Sequence, residues 1–99
     1  MSEIYTEQDW RLFRKKIVGW QKAYMTLLNE KYVRLLSRDG KPEDKFWELN
    51  RQIKADQQSP GVMVDMRRSN LEYALVRLVN DGVISLVDLA EFSPALIKK

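Results

Sequence analysis

Trp10-Arg11-Leu12-Phe13-Arg14-Lys15-Lys16-Ile17-Val18-Gly19-Trp20-Gln21-Lys22-Ala23-Tyr24 opens a run in which large apolar residues return every three or four positions: Trp10, Phe13, Ile17, Trp20, Tyr24, Leu27 or Leu28, Tyr32 and Leu35. That period belongs to an α-helix, because residues three and four apart share one face. Thr6 followed by Asp9 is a relative of the capping box, and Gly40 after Arg38-Asp39 is a stop, so the spacing predicts a helix over about 6–37. At a rise of 1.5 Å per residue it would be about 45 Å long, whereas a chain of this size has a compact radius of gyration near 13 Å. One end of it should project or meet another chain. Its apolar arc spans roughly half the circumference, more than a surface helix needs.

The rest of the chain reads as shorter helices. Pro42 sits at a first helical position with Glu43 and Asp44 behind it, and Phe46, Leu49 and Ile53 share a face, giving a second helix over about 42–56. Ser59 and Pro60 then open a third over about 60–80, which ends at Asn80-Asp81-Gly82. Ser85 and Asp88 are a second capping-box pair before a short helix over about 85–92, and Ser93-Pro94 starts a terminal turn. Val62-Met63-Val64, the one strand-like run, falls inside the third helix on this reading. The expected fold is all-α: a single domain over 1–99, a bundle of three main helices with a short fourth.

Composition narrows the chemistry. The chain has 99 residues, 44% hydrophobic and 31% charged, a balance that folds and leaves room for one core. It contains neither Cys nor His, which removes disulfides, thiolate nucleophiles, imidazole catalysis and the common zinc ligands. No catalytic, cofactor-binding or metal-ligating residue is expected. The longest apolar run is Tyr73-Ala74-Leu75-Val76, and Met1-Ser2-Glu3 is no signal-peptide head, so a cytoplasmic protein without a membrane partner is expected.

Three groups of residues invite a functional reading. On the predicted third helix Val64, Leu71, Leu75 and Leu78 form one apolar stripe, with Val62, Met66, Tyr73 and Val76 nearly opposite. A helix apolar on two sides needs covering on two sides, so one stripe, or the spare arc of the first helix, is expected to meet a second copy or another protein. The interface candidates are Trp10, Phe13, Trp20, Met66, Tyr73 and Val76. Arg67, Arg68 and Asn70 interrupt that helix and are candidates for contact with an anion or an acidic partner, or else for ion pairing within the fold. Finally, between residues 10 and 38 eight basic residues stand against the single acid Glu30. Arg11, Lys15 and Lys22 fall within about 40° of one another on the first helix, a stripe suited to phosphates.

Gly82-Val83-Ile84-Ser85-Leu86-Val87-Asp88-Leu89-Ala90-Glu91-Phe92-Ser93 resembles the turn and first helix of a helix-turn-helix, but Pro94 to Lys99 are too few for a reading helix. In outline the chain is similar to the small helical chorismate mutases, with no catalytic residue carried over. Glu7-Gln8-Asp9-Trp10, Gly19-Trp20-Gln21, Phe46-Trp47-Glu48-Leu49, Met66-Arg67-Arg68-Ser69-Asn70 and Ile84-Ser85 with Asp88-Leu89 together resemble short bacterial proteins of unassigned function. That resemblance implies an all-helical protein and no activity. The sequence therefore favours a non-enzymatic interaction or regulatory module, self-associating through the first helix and the second stripe of the third. A nucleic-acid-associated protein using the basic stripe is the alternative.

Overall fold

The computed structural model describes residues 6–94. Helix α1 spans Glu7–Ser37, α2 spans Pro42–Asp56 and α3 spans Leu71–Asn80, with single 3-10 turns at Arg68–Asn70 and Leu86–Leu89 and no strand among the described residues. The chain is all-α. The turn expected after Ser93-Pro94 lies for the most part outside the described residues.

The start of α1 follows from its cap. Thr6 Oγ1 accepts the Asp9 amide at 3.0 Å, and Asp9 Oδ2 accepts the Thr6 amide at 3.0 Å, which satisfies two of the amides that a helix start leaves without partners. Between α1 and α2 the chain turns at Gly40, whose φ of +150° excludes most other residues. Pro42 then opens α2, with Glu43 and Asp44 in its first turn.

The third helix departs from expectation. It starts at Leu71, not near residue 60, and residues 63–67 are non-helical. The reason is local: side chains take the backbone groups that a helix would use. Asp65 Oδ1 accepts the Arg67 amide at 3.1 Å and Asn70 Nδ2 donates to the Asp65 carbonyl at 2.9 Å, while Ser59 Oγ, accepting the Gly61 amide at 3.1 Å, caps a single turn that does not continue. Gly61 also lies against the Tyr24 ring, closer than any residue with a Cβ could come. The second apolar stripe therefore does not exist as a helix face, since Val62 and Met66 lie outside α3. The short fourth helix is likewise reduced to the 3-10 turn Leu86–Leu89, although Ser85 and Asp88 do form the capping box.

The core sits at one end of α1. Trp10, Phe13 and Ile17 pack with Leu71, Ala74, Leu75 and Leu78 of α3 and with Ile84, Leu89 and Phe92 from the segment that follows. Rings run through it in sequence, Trp10 to Phe13 at 6.1 Å, Phe13 to Trp20 at 6.4 Å and Trp20 to Phe92 at 6.4 Å, spacings at which aromatic pairs attract. Helix α2 takes no part in this core and has no buried residue of its own. It lies along the far half of α1, where Leu28 and Leu35 are buried. The molecule is accordingly elongated, 55 × 23 × 20 Å with a radius of gyration of 16.6 Å.

Candidate interaction surface

The interface candidates read from sequence separate into two environments. Trp10 and Phe13 are buried in the core, and Trp20 is packed against it, so none of the three offers a free ring to a partner. Tyr73 is 61% exposed on α3, with the Arg77 guanidinium 5.8 Å from its ring centre. Val76 is exposed on the same helix, whereas Met66 lies on the preceding extended segment.

The polar candidates are engaged within the chain. Arg67 Nε donates to Asp65 Oδ1 at 3.0 Å and to Oδ2 at 2.8 Å. Arg68 reaches across 61 positions to Glu7, with Nη2 to Oε2 at 2.7 Å, and its guanidinium lies 6.0 Å from the Trp10 ring centre. Asn70 closes the turn as described above. The hydrogen bond from Arg67 holds the Asp65 carboxyl below the ordinary aspartate range and raises Arg67 in return. Together these residues brace the entry to α3 against the start of α1.

Of the basic stripe, Arg11, Lys15 and Lys22 are all exposed. Arg11 stands 4.0 Å from Glu7, a long contact, and Lys15 and Lys22 form no ion pair among the described residues. The neighbouring Lys16 is different: its Nζ is 2.7 Å from Glu91 Oε1, which lowers the Glu91 carboxyl.

What the sequence did not reveal is the α1–α2 arm. Phe46, Leu49 and Ile53 share a flank of α2, and on it Phe46 is 62% exposed and its neighbour Trp47 56%, their rings perpendicular at 5.0 Å. A groove of about 280 Å³ runs between the helices, with Met25, Asn29 and Tyr32 on one wall and Ile53 on the other. Asp56 fastens its end, accepting from the Tyr32 hydroxyl and from Lys31 Nζ at 3.1 Å. Burial, then the hydrogen bond to Asp56, pushes the Tyr32 phenol up to about 12. Arg38 pairs with Glu48 nearer the tip. A second, shallower groove of about 430 Å³ lies where Met63 and Met66 face Arg14 and Val18. Val62 lines both, so the two grooves form one side of the molecule. The only sequence signal for this side was the width of the α1 apolar arc.

Among the described residues no three acidic side chains come together as metal ligands, and no helix is long and apolar enough to cross a membrane. Compared with protein-family profiles, curated proteins and solved structures, the chain matches none.

Proposed function

We propose that the chain is a non-enzymatic protein-interaction module whose working surface is the apolar side of the α1–α2 arm. The observation that carries this reading is a helix, α2, with no buried residue, bearing two large exposed rings beside an open groove. Exposed rings and a Met-lined groove are the material of protein contacts, because each ring removes a large apolar area from water and Met adapts to its neighbour. The polar clusters at Asp9–Ser93, Asp65–Arg67 and Tyr32–Asp56 each have partners within the chain, which supports a structural role for them rather than catalysis. We take the module to act in the cytoplasm, where a chain without Cys forgoes no disulfide.

The test compares the immobilised wild-type chain with a Val18→Glu/Phe46→Glu variant for retention of proteins from its source cells. Both positions are exposed, so the variant should keep its helicity and lose the proteins that the wild type retains. Equal retention by the two would sink the reading.

The exposed stripe Arg11, Lys15 and Lys22 supports a second reading, binding to nucleic acid. On that reading Arg11→Glu with Lys15→Glu weakens binding to a mixed-sequence oligonucleotide and flattens its salt dependence by about two phosphate contacts. Unchanged anisotropy titrations at several salt concentrations would remove it.

A further inference from the structure

The apolar side of the arm has a different feature at each end. At the tip, Phe46 and Trp47 protrude, and Phe46 shares a flank of α2 with Ile53, which lines the inter-helix groove. At the other end, the Met63–Met66 groove opens beside Val18. Between them α1 presents Val18, 59% exposed, then Met25, Tyr32 and Leu36, the last 45% exposed, at helical spacing. Val18 and Leu36 are about 27 Å apart along the helix axis.

We infer that this side is the contact between two copies of the chain, paired antiparallel about a two-fold axis near residue 27 of α1. The inference rests on the proposed reading of the arm as a protein contact and names the partner. An axis there sets Val18 of one copy against Leu36 of the other and carries the protruding Phe46–Trp47 pair of each copy to the Met-lined groove of its partner. One surface then serves both copies, as a two-fold contact requires.

Charge selects the antiparallel arrangement. Arg14 lines the groove and Arg11 and Lys15 belong to the same stretch of α1, and their only ion pair among the described residues is the long Arg11–Glu7 contact. At the tip Asp39, Glu43 and Asp44 alternate with Lys41, none of the four in an ion pair among the described residues, and with Lys45, whose Nζ donates to the Leu36 carbonyl at 3.2 Å. Antiparallel pairing sets the basic stretch of each copy against this mixed tip, whereas parallel pairing would stack the two basic stretches on each other.

Self-complementarity argues for a second copy over a different protein. Helix α2 is covered along one flank, where Leu49 is half-buried, while Phe46 and Trp47 stand bare, and the same side of the molecule carries both that bare pair and the Met-lined groove that would receive it. A stable dimer takes about 800 Å² from each copy, and a side 55 Å long and 23 Å wide has room for that.

Sedimentation equilibrium of the full chain at micromolar concentrations tests the pairing. A dimer is expected, and Val18→Glu or Phe46→Glu should each weaken it at least about tenfold with helicity retained. Tyr73→Asp, on α3, should leave it intact. Because the chain has no Cys, the register can be read directly: oxidising a mixture of Val18→Cys and Leu36→Cys copies should yield the mixed disulfide in excess over either like pair. A monomer throughout, a dimer indifferent to Val18→Glu and Phe46→Glu, a dimer broken by Tyr73→Asp, or like pairs exceeding the mixed disulfide would each overturn the proposal. A monomer whose retained proteins are still lost in the Val18→Glu/Phe46→Glu variant overturns self-pairing alone. Failure of both experiments removes the interaction surface as well.

Discussion

Ser93 donates twice to Asp9, its amide to Oδ1 at 2.9 Å and its hydroxyl to Oδ2 at 2.6 Å, across 84 positions of the chain. The carboxylate that caps α1 is thus also the anchor for the segment carrying Phe92 into the core. Burial works to raise the Asp9 carboxyl, but the hydrogen bonds from the Ser93 hydroxyl and from the Thr6 and Ser93 amides outweigh it, and its pKa lies below the ordinary aspartate range.

Asp9→Ala should cost about 2–3 kcal/mol in urea unfolding, since it removes a cap and leaves donors in a buried site without an acceptor. The dependence on pH has a definite sign. A folded-state pKa below the unfolded value of about 3.9 adds stability above that pH, and the gain disappears as pH falls through the lowered value. The gap between wild type and Asp9→Asn should therefore be full at neutral pH and narrow only in acid below about 4. A gap independent of pH down to acid unfolding would contradict the geometry.

Gly61→Ala places a methyl within 2.7 Å of Tyr24 Cγ and nearer still to Cδ2, so either the ring or the Ser59–Val62 turn has to move. A loss of about 1–3 kcal/mol is expected, the usual range for overpacking. Tyr24→Ala should absorb most of that loss in a double-mutant cycle, and additive effects would show that the methyl clashes elsewhere.

Tyr32→Phe removes one of the bonds that fasten α2 to α1 and should cost about 1 kcal/mol, seen as faster amide exchange in α2 with α3 unaffected. Because the folded phenol titrates at about 12, its contribution is complete below the ordinary tyrosine range and is lost as pH rises toward that value. Tyrosinate absorbance should show one residue ionising later than the others.

Arg68→Ala, by contrast, should cost less than about 1 kcal/mol, and 1 M salt should shrink the effect, because both the guanidinium and Glu7 are close to half exposed. A loss of several kcal/mol would mean that the Trp10 ring depends on the guanidinium for its placement.

The departures from the sequence reading trace to particular residues. Ser59-Pro60 followed by Gly61 has the form of a helix start, and the apolar spacing continues through Met66. Ser59 does cap one turn, but its continuation is cancelled by short polar side chains at Asp65 and Asn70 that bond to nearby backbone, and by the Tyr24 ring that only a glycine admits. The first is a competition between local hydrogen bonds whose outcome depends on the fold around them, and the second is a contact between residues 37 positions apart. Phe46, Leu49 and Ile53 were read correctly as one apolar flank of a helix, but a flank does not say what faces it.

Period, caps and breakers along the chain were enough to determine the all-α class, the extent of α1 and α2 and the length that makes the molecule elongated, because each depends on residues within a turn or two of one another. Which end of α1 gathers the core was decided only in three dimensions. An apolar arc repeated along 31 residues offers the same burial at either end, and Ile84, Leu89, Phe92 and the Asp9–Ser93 bond bring α3 and the segment after it to the first half of α1. That choice leaves the second half of α1, with α2 beside it, holding apolar surface that the other described residues do not reach.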